Sequence, residues 1–428
     1  MVIQKERDVA VPFESHPCNA AGASSFAQQG CKEVPGGTGK KRMNILVSGG
    51  GTGGHIYPAL AVATLLEKEY QARILYLGSD DGLETELAPA AGFPFAMIKA
   101  GKLRRYISWE TITGVVRVPV GMAQAVGIVR KFAPDAAFTS GGYVAVPAGL
   151  AARLNGVPLL MHQQDVPPNL SNRLIAPLAT RISVAFEDAI HLVPTWAGKM
   201  LWLGNPVRQE MLDIRQVAPE QARRELGFEA VAPLLVVTGG SQGARHLNQV
   251  VCEALPRLLP HCQVLQISGK QLFEETREQS EQAMADLDEG VRKRYRLVPY
   301  LNAEMPAALQ AATLVLCRSG AATLSELAVL GKPSILVPLA PAIGSSPQEA
   351  NADMFGRKAA AEVIKDGEME PGKLVERVKA IIGSQARLRS MAEAVLTFAK
   401  PDATQEIAAE VVNVAQMAKT KRHKGASI

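Results

Sequence analysis

The sequence lacks any apolar run long enough to cross a bilayer. A membrane-spanning helix needs about 20 consecutive apolar residues, and the best candidate, 115–129, is interrupted by Arg117, Pro119 and Gln124. The N-terminus also lacks the basic-then-apolar pattern of a secretory signal peptide. The sequence therefore predicts no membrane-spanning segment.

Cysteine is scarce and follows no metal-binding or disulfide pattern. The five cysteines are odd in number, and none forms a CxxC pair: Cys18, Cys31, Cys252, Cys262 and Cys317. This disfavours a disulfide framework and a structural zinc site, and it favours a reducing compartment. The sequence also lacks an HExxH motif, a His/Cys cluster and the GxSxG turn of esterases. We therefore expect no metal and no other cofactor.

The sequence does contain enough apolar residues for two globular domains. Its 428 residues exceed one ordinary core, and 47% are hydrophobic while 20% are charged; both values are typical of globular proteins. The formal net charge of +5 permits attraction to an anionic surface without requiring nucleic acid.

Composition suggests where the domains begin and end. Residues 1–42 show no periodicity and are rich in small and polar residues, so we expect a disordered extension or a mis-assigned start upstream of Met43. We expect a first domain at 43–206 and a second at 207–400, with Asn205-Pro206-Val207-Arg208 as the hinge. A C-terminal helix at 401–418, packed on the second domain or crossing back to the first, then precedes a basic tail at 419–428.

From residue 43 onward, short apolar runs alternate with helical stretches. The expected strands are 44–48, 73–77, 136–139, 159–162, 181–185, 200–203, 234–237, 263–267, 295–298, 314–317 and 334–337. This alternation predicts an α/β protein with parallel sheets covered on both faces. Several strands in both halves end in Ser-Gly or Thr-Gly, so we expect two doubly wound, Rossmann-like domains that face one another across a cleft.

The first glycine turn, Gly49-Gly50-Gly51-Thr52-Gly53-Gly54-His55, follows a strand and precedes an expected helix at 58–69. Glycines let the backbone approach a phosphate, and the N-terminus of the helix attracts negative charge. His55 can change its charge near neutral pH, although a histidine here can also simply cap the helix. The turn predicts a phosphate-binding site with a candidate general base.

The second half repeats this arrangement. Gly239-Gly240-Ser241-Gln242-Gly243-Ala244 again joins a strand to a helix, and a third small-residue turn begins at Arg318-Ser319-Gly320. Glu326 follows on the helix after that third turn, where a carboxylate can accept hydrogen bonds from a ribose diol. Two phosphate-type turns in one chain favour a nucleotide as a ligand.

A basic segment also carries aromatic and aliphatic residues. Lys99 and Arg117 flank it, and the expected membrane contacts within it are Lys102, Leu103, Arg104, Arg105, Tyr106, Ile107 and Trp109. This mixture is typical of a membrane-surface contact, although nucleic acid can use the same chemistry and a solvated loop can have the same composition.

Five motifs in this order resemble the GT-B glycosyltransferase family. The motifs are 50–55, Gly141-Gly142-Tyr143-Val144, 205–208, 239–244 and 318–326, and the resemblance as a whole runs from about residue 43 to residue 412. Within this family, the sequence most resembles the enzymes that transfer N-acetylglucosamine from UDP-N-acetylglucosamine to undecaprenyl-diphospho-muramoyl-pentapeptide. It implies an enzyme of peptidoglycan synthesis at the cytoplasmic face of the cell membrane, with the lipid acceptor and an anionic membrane surface as partners.

The resemblance also implies a role for each matched residue. For UDP-N-acetylglucosamine it implies Ser241 near the diphosphate, Glu326 at the ribose, Arg208 and Leu301 near the uracil and Gln348 at the sugar hydroxyls, with further contacts from Thr52, Gly53, Gly54, His55 and Asp165. For the acceptor diphosphate and muramoyl group it implies Gly50, Gly51, Thr52, Gly53, Gly54, Gly141, Gly142 and Tyr143. His55 is the first candidate for the catalytic base, and Asp165 is its rival.

Some positions depart from the family pattern. His162-Gln163-Gln164-Asp165 stands where the family usually has His-Glu-Gln-Asn, so one carboxylate is lost at 163 and one is gained at 165. Pro347 precedes Gln348 where a polar residue is common, and proline removes both a side-chain and a backbone donor. The departures bear mainly on donor binding.

Three other functions are compatible with parts of the sequence. The same fold serves UDP-N-acetylglucosamine 2-epimerases and transferases with other lipid acceptors. A nicotinamide-dependent oxidoreductase would need an acidic residue about 20 residues after the glycine turn, and Asp80 lies too far beyond Gly54. A non-catalytic membrane-associated protein is disfavoured because Ser241, Glu326 and Gln348 are all present.

Overall fold

The computed structural model describes residues 42–100, 109–240, 242–339 and 348–425, and for 109–118 and 421–425 it describes the backbone alone. The proposed extension at 1–42 lies outside this part, apart from Arg42, as do residues 426–428 of the proposed basic tail.

The described strands form two sheets in which every pairing is parallel. The first has seven strands in the order β3-β2-β1-β4-β5-β6-β7 and the second has six in the order β10-β9-β8-β11-β12-β13. The strands are β1 (Asn44–Ser48), β2 (Arg73–Ser79), β3 (Phe95–Ile98), β4 (Ala136–Thr139), β5 (Leu159–Gln163), β6 (Arg181–Val184), β7 (Met200–Trp202), β8 (Leu234–Thr238), β9 (Gln263–Ile267), β10 (Tyr295–Val298), β11 (Leu314–Cys317), β12 (Ser334–Leu336) and β13 (Ala361–Val363).

Helices connect successive strands, as parallel pairing requires. The α-helices are α1 (Gly53–Tyr70), α2 (Glu84–Ala90), α3 (Trp109–Phe132), α4 (Ala145–Leu154), α5 (Leu170–Ile175), α6 (Asp188–Leu192), α7 (Gln209–Asp213), α8 (Pro219–Glu225), α9 (Arg245–Leu258), α10 (Phe273–Ala283), α11 (Glu289–Arg292), α12 (Met305–Ala311), α13 (Ala321–Leu330), α14 (Gln348–Arg357), α15 (Pro371–Ile382), α16 (Gln385–Leu396) and α17 (Ala403–Gly425). Short 3-10 helices lie at Ala176–Leu178, Pro194–Lys199, Ile214–Gln216, Lys270–Leu272 and Asp366–Glu368.

This architecture confirms the predicted α/β fold with two parallel-sheet halves. The eleven expected strands are present with small shifts at their ends, while β3 and β13 were not predicted. The first sheet uses residues 44–202 and the second uses 234–363. The segment Asn205–Arg208 lies between them, immediately before α7.

The last helix, α17, lies against the first sheet although it follows the second in the chain. Its buried face, which includes Ile407, Ala408 and Val411, shares a hydrophobic core with α1 and β1. Glu410 approaches Arg181 at 3.7 Å, and Lys419 approaches Asp135 at 3.1 Å. The helix continues to Gly425 instead of ending at 418, because the lysine- and arginine-rich sequence that follows also favours helix.

An aromatic cluster joins elements of both halves. Phe186 follows β6, Phe355 lies on α14 and Phe398 follows α16. The rings of Phe355 and Phe398 stack with their centroids 4.2 Å apart, and Phe186 meets them edge-on at 5.8 and 6.1 Å. All three side chains are buried, so this cluster is part of the contact between the two halves.

Among the helices that the structure describes, none combines the length and the apolar character needed to cross a membrane.

Candidate active site

The first glycine turn lies directly after β1 and leads into α1. The helix begins at Gly53, so Gly53, Gly54 and His55 belong to its first turn, and the helix starts earlier than the expected residue 58. Pro58, the first residue of the expected helix, instead lies inside α1. The carbonyl of Thr52 accepts bonds from the amides of His55 and Ile56 at 3.0 and 3.2 Å. As at any helix start, the first amides lack intrahelical acceptors and can bind an anion.

The amides of Gly50 and Gly51, in contrast, donate to the protein itself. Gly50 donates to the carbonyl of Gly141 at 3.4 Å, and Gly51 donates to the carboxylate of Glu84 at 3.2 Å. Fewer amides of the turn are therefore available to a ligand than the sequence predicts. Those at the helix start, at Thr52, Gly53 and Gly54, can bind an anion.

The imidazole of His55 is held in one orientation. Its Nδ1 lies 3.0 Å from the carbonyl oxygen of Ser140, and the side-chain amide of Gln164 donates to the same oxygen at 3.3 Å. Because a carbonyl can only accept, Nδ1 carries the hydrogen and Nε2 of the neutral ring keeps its lone pair. Burial lowers the pKa of His55, while the negative charge of Asp165 and the bond to Ser140 oppose this shift. The ring is therefore neutral at neutral pH and able to accept a proton at Nε2.

The loop after β4 packs tightly against the first glycine turn. Gly141 and Gly142 have positive φ angles of 107° and 84°. A Cβ atom on Gly142 would lie 2.0 Å from the carbonyl oxygen of Gly50. Glycine is therefore required at 142 by the close approach of two backbones, whatever it contributes to a ligand.

Tyr143 continues this loop towards the end of β2. Its hydroxyl lies 2.7 Å from Oγ of Ser79 and donates to Asp81 at 3.0 Å. Burial raises the pKa of Tyr143 further above its ordinary value. The side chain thus remains a neutral phenol that can form hydrogen bonds beside the first glycine turn.

The segment after β5 connects the first half to the second. The side-chain oxygen of Asn351, on α14, accepts the amide of Val166 at 2.9 Å. Its side-chain nitrogen donates to Asp165 at 3.2 Å and to the carbonyl of Ser319 at 3.1 Å. Asn351 is fully buried, so this one amide fixes Asp165 against the start of the helix that carries Gln348.

The contacts of Gln163 explain part of the departure from the family pattern. Gln163 is buried, accepts from Asn172 at 2.7 Å and donates to the carbonyl of Asp165 at 2.6 Å. A carboxylate at 163 could accept the first bond but not donate the second. The amide at 163 therefore matches its partners in this chain.

Three of the expected nucleotide-binding residues lie together in the second half. A guanidinium nitrogen of Arg208 lies 3.4 Å from Glu326, and another donates to the carbonyl of Asn302 at 3.3 Å, next to Leu301. Burial raises the pKa of Glu326, and the charge of Arg208 opposes this shift. The grouping combines a positive charge, a carboxylate and a backbone edge, which can bind a nucleoside.

Gln348 begins α14 with part of its side chain already engaged. Its Oε1 accepts the amide of Leu339 at 3.0 Å, and its carbonyl accepts the hydroxyl of Ser319 at 2.7 Å. Among the residues that the structure describes, none accepts a bond from its side-chain nitrogen, which can donate to a ligand. Ser241 and Pro347 lie outside the described residues, as do the proposed membrane contacts at 102–107, while the side chain of Trp109 is not described.

Sequence analysis did not identify Glu84, Ser140 or Asn351, all of which contact candidate site residues. Their partners lie far away in the chain, as with Asn351 and Asp165, which are separated by 186 positions. No local spacing signals such contacts. The Ser140-Gly141 dipeptide, at a strand end, was the one available indication.

Two family models match the chain. The N-terminal domain of glycosyltransferase family 28 matches residues 45–184, and the C-terminal domain of the same family matches residues 234–407. The chain belongs to glycosyltransferase family 28. The two matches fall on the two sheets, and they confirm the expectation that the chain is a glycosyltransferase.

Two curated members of the family are similar to this chain over most of its length. Both are named UDP-N-acetylglucosamine–N-acetylmuramyl-(pentapeptide) pyrophosphoryl-undecaprenol N-acetylglucosamine transferase. The one from Caldanaerobacter subterraneus subsp. tengcongensis is 36% identical and covers 85% of this chain and 98% of its own length. The one from Desulforudis audaxviator is 38% identical, with coverages of 85% and 96%.

Two solved structures agree with the architecture. The crystal structure of Acinetobacter baumannii MurG is 26% identical, has a TM-score of 0.68, and covers 87% of this chain and 99% of its own. The UDP-GlcNAc 2-epimerase from Neisseria meningitidis has a TM-score of 0.62 at 14% identity, with coverages of 86% and 99%. The epimerase supports the fold alone, whereas the first match and the curated relatives confirm the resemblance predicted from the five motifs.

Proposed function

We propose that the chain transfers N-acetylglucosamine from UDP-N-acetylglucosamine to the 4-hydroxyl of lipid-linked N-acetylmuramoyl-pentapeptide, with inversion at the anomeric carbon. The named activity of the relatives supports this reaction. The structural observation that carries it is the contact between Asn351 and Asp165 at 3.2 Å. It brings the histidine-bearing side of the first half next to the helix of Gln348, where an acceptor and a donor sugar can meet.

The first half, at 43–206, would hold the acceptor. Thr52, Gly53 and Gly54 would bind its diphosphate, because the start of α1 offers unpaired amides and the positive end of the helix dipole. Tyr143, whose hydroxyl donates to Asp81, would line the edge of the same site. Gly141 and Gly142 support the site by letting the two loops approach closely.

The second half, at 207–400, would hold the donor. Glu326 would accept bonds from the ribose diol, Arg208 and the backbone at Leu301 would flank the uracil, and the side-chain nitrogen of Gln348 would donate to sugar hydroxyls. The turn that contains Ser241 would bind the donor diphosphate at the start of α9. Gly240 and Gly243 have φ angles of 83° and 76°, which gives this turn the curvature that a phosphate cradle uses.

The reaction would proceed as a single displacement. The acceptor 4-oxygen forms a bond to the anomeric carbon while the bond from that carbon to the diphosphate oxygen breaks, and UDP leaves as an anion. Nε2 of His55 takes the hydroxyl proton, as its tautomer and lowered pKa allow. The amides at the donor turn and the dipole of α9 stabilise the charge that develops on UDP. Asp165 is the rival base. If His55 is the base, the negative charge of Asp165 raises the basicity of His55.

The substrate's lipid implies that the protein works at a membrane. We propose that it binds peripherally at the cytoplasmic face, through the basic and aromatic segment of residues 102–109. The mixture of Lys and Arg with Tyr, Ile and Trp supports this, because cationic side chains bind anionic headgroups while aromatic ones enter the interface.

A radiolabel assay tests the reaction. The full-length protein is incubated with UDP-N-acetylglucosamine labelled in the sugar, with and without the lipid-linked muramoyl-pentapeptide. We expect label in the lipid fraction only when the acceptor is present. An epimerase would instead convert the labelled UDP-sugar without the acceptor, and absence of label from the lipid fraction would contradict the proposal.

A further inference from the structure

Glu84 is a fully buried carboxylate at the start of α2, outside every motif that pointed to the function. It accepts three hydrogen bonds: one from the amide of Gly51 at 3.2 Å, and two from Ser79, through its amide at 3.1 Å and its hydroxyl at 2.7 Å. One of its oxygens therefore binds the first glycine turn, while the other binds the end of β2.

The surrounding backbone leaves space for this carboxylate. A Cβ atom would lie 2.4 Å from Oε1 of Glu84 if added to Gly50, 2.2 Å from Oε2 if added to Gly82 and 2.6 Å from Cγ if added to Gly78. One glycine of the first glycine turn and two at or just after the end of β2 thus surround the Glu84 side chain. A glycine at 50, which the motif suggests is there for a phosphate, also makes room for Glu84.

The carboxylate is also linked to Tyr143. Oγ of Ser79 donates to Glu84 and lies 2.7 Å from the Tyr143 hydroxyl. Gly51 and Tyr143 are in turn close, because a Cβ atom on Gly51 would lie 3.0 Å from the Tyr143 ring. A single side chain therefore connects the two loops that line the proposed acceptor site.

A negative charge beside an anion-binding turn is electrostatically unfavourable and needs compensation by hydrogen bonds. Glu84 receives that compensation from the amide of Gly51 and from the amide and hydroxyl of Ser79. By keeping the amide of Gly51 turned inward, it leaves the amides at the start of α1 as the donors presented to the acceptor.

We propose that Glu84 is a positioning residue for the lipid-linked acceptor. It fixes the turn at Gly51 and, through Ser79, the hydroxyl of Tyr143, so that Thr52–Gly54 and Tyr143 match the acceptor diphosphate. The assignment of that ligand rests on the proposed function. The mechanical role, in which Glu84 immobilises the first glycine turn, is independent of the proposed function.

Glu84→Gln in the full-length protein is the principal test. Glutamine has the same shape, but its NH₂ group must face Ser79 or the Gly51 amide, both of which donate. We expect the KM for the lipid acceptor to rise about fivefold or more while the KM for UDP-N-acetylglucosamine stays within about twofold. Hydrogen exchange of a peptide that contains residues 49–54 should accelerate about tenfold or more.

Asp135→Asn is the matched control. Asp135 accepts the amide of Asn44 at 2.9 Å, at the opposite end of β1, so this variant also removes a carboxylate that binds a backbone amide of the first sheet. We expect it to leave both KM values and the exchange of residues 49–54 within about twofold of wild type. If Glu84→Gln does not fold, Ser79→Ala is the second variant. It removes the hydroxyl that contacts both Glu84 and Tyr143 but keeps the bond from Gly51 to Glu84, and it should raise the acceptor KM by about twofold to threefold.

The outcomes separate the two proposals. Unchanged exchange at 49–54 in Glu84→Gln overturns the positioning role even if the wild type is active. The role is also overturned if Glu84→Gln raises the KM for both substrates equally and if Asp135→Asn, at the same loss of stability, raises them to the same extent. A wild type that transfers no label to lipid contradicts the proposed function, while accelerated exchange in Glu84→Gln would still support the mechanical role.

Discussion

His55 is the residue at which geometry and charge agree most closely with a catalytic role. The carbonyl of Ser140 fixes the ring at Nδ1, and burial keeps it neutral, so that Nε2 is both placed and unprotonated. Asp165 opposes the effect of burial on the pKa of His55. In the proposed mechanism, this pair sets the pH at which the acceptor hydroxyl can be deprotonated.

The pH profile of acceptor use should reflect this pair. Because the pKa of His55 is lowered, kcat/KM for the acceptor should stay constant from neutral pH down to below about 6.5, the ordinary value for histidine, and fall only at lower pH. In Asp165→Asn the acid limb should move to still lower pH, because the charge that raises the pKa of His55 is lost. Steady-state rates measured from acid to neutral pH check this, and an acid limb above the ordinary value would contradict it.

Glu326 should control the affinity for the donor. Glu326→Gln removes the negative charge that strengthens bonds accepted from a ribose diol, and it leaves Arg208 without its charged partner at 3.4 Å. We expect the KM for UDP-N-acetylglucosamine to rise about tenfold while the acceptor KM is unchanged. Glu362→Gln is the control, since Glu362 lies on the edge strand β13 and pairs there with Arg377 and Arg387 from two helices. Equal effects of the two variants on the donor KM would exclude a specific role.

At the residue scale, the sequence predicts those residues that belong to compact motifs. His55, Arg208 and Glu326 were expected at the site, and the structure places Arg208 within 3.4 Å of Glu326. Glu84 and Asn351 could not be predicted, because their contacts depend on how β2 and α14 are positioned. The sequence also assigned the amides of Gly50 and Gly51 to a ligand, whereas Gly141 and Glu84 accept them.

Among the elements, β5 is tied to the segment that connects the two sheets. His162 is completely buried on this strand and lies between Oγ of Ser183 at 2.9 Å and Oδ1 of Asn205 at 3.0 Å. Asn205 belongs to the segment that connects the two sheets. Burial is the main cause that lowers the pKa of His162 to about 4, so the strand holds a neutral histidine that ties it to this connection.

Stability should therefore fall in mild acid. The pKa of His162 is lower in the folded state than in the unfolded chain, so the unfolded state binds a proton first as the pH drops. The free energy of unfolding should decrease between about pH 6.5 and about pH 4, with His162 contributing about 3 kcal/mol of the loss. Denaturant unfolding of His162→Gln should show a smaller pH dependence than wild type. The exposed His191→Gln is the control, and equal slopes for all three proteins would contradict the prediction.

Most strands could be predicted because their apolar runs are continuous, as buried parallel strands require. The strands β3 and β13 are the exceptions. The first is the four-residue run Phe-Ala-Met-Ile at an edge of the first sheet, and the second is the three-residue run Ala-Glu-Val at an edge of the second. Each is buried at one residue only, Ile98 in β3 and Ala361 in β13, and pairing with a single neighbouring strand defines it.

For the whole molecule, α17 has the largest structural consequence. The chain completes the second sheet and then returns to bury Ile407, Ala408 and Val411 against the first. The sequence showed an amphipathic helix but left its destination open, because an apolar face does not specify which apolar surface covers it. The two halves are thereby joined at both the central segment and the C-terminus.

Two adjacent alanines on α17 test this connection. Ala408 is buried against the first sheet, whereas Ala409 is exposed. We expect Ala408→Asp to lower the free energy of unfolding by about 3 kcal/mol or more, because it buries a charge. Ala409→Asp should change it by less than about 0.5 kcal/mol. Denaturant unfolding gives both values, and a similar small effect of the two substitutions would show that the helix does not hold the first half.

The central claim is that the first glycine turn supplies the chemistry while the second half holds the nucleotide. Its most direct test is the transfer of radiolabelled N-acetylglucosamine at saturating substrates by His55→Ala and Asp165→Asn, with UDP binding measured on the same proteins. We predict that His55→Ala loses about a hundredfold or more in kcat and binds UDP as the wild type does. Near-normal turnover by His55→Ala, together with a loss of that size in Asp165→Asn, would contradict the account.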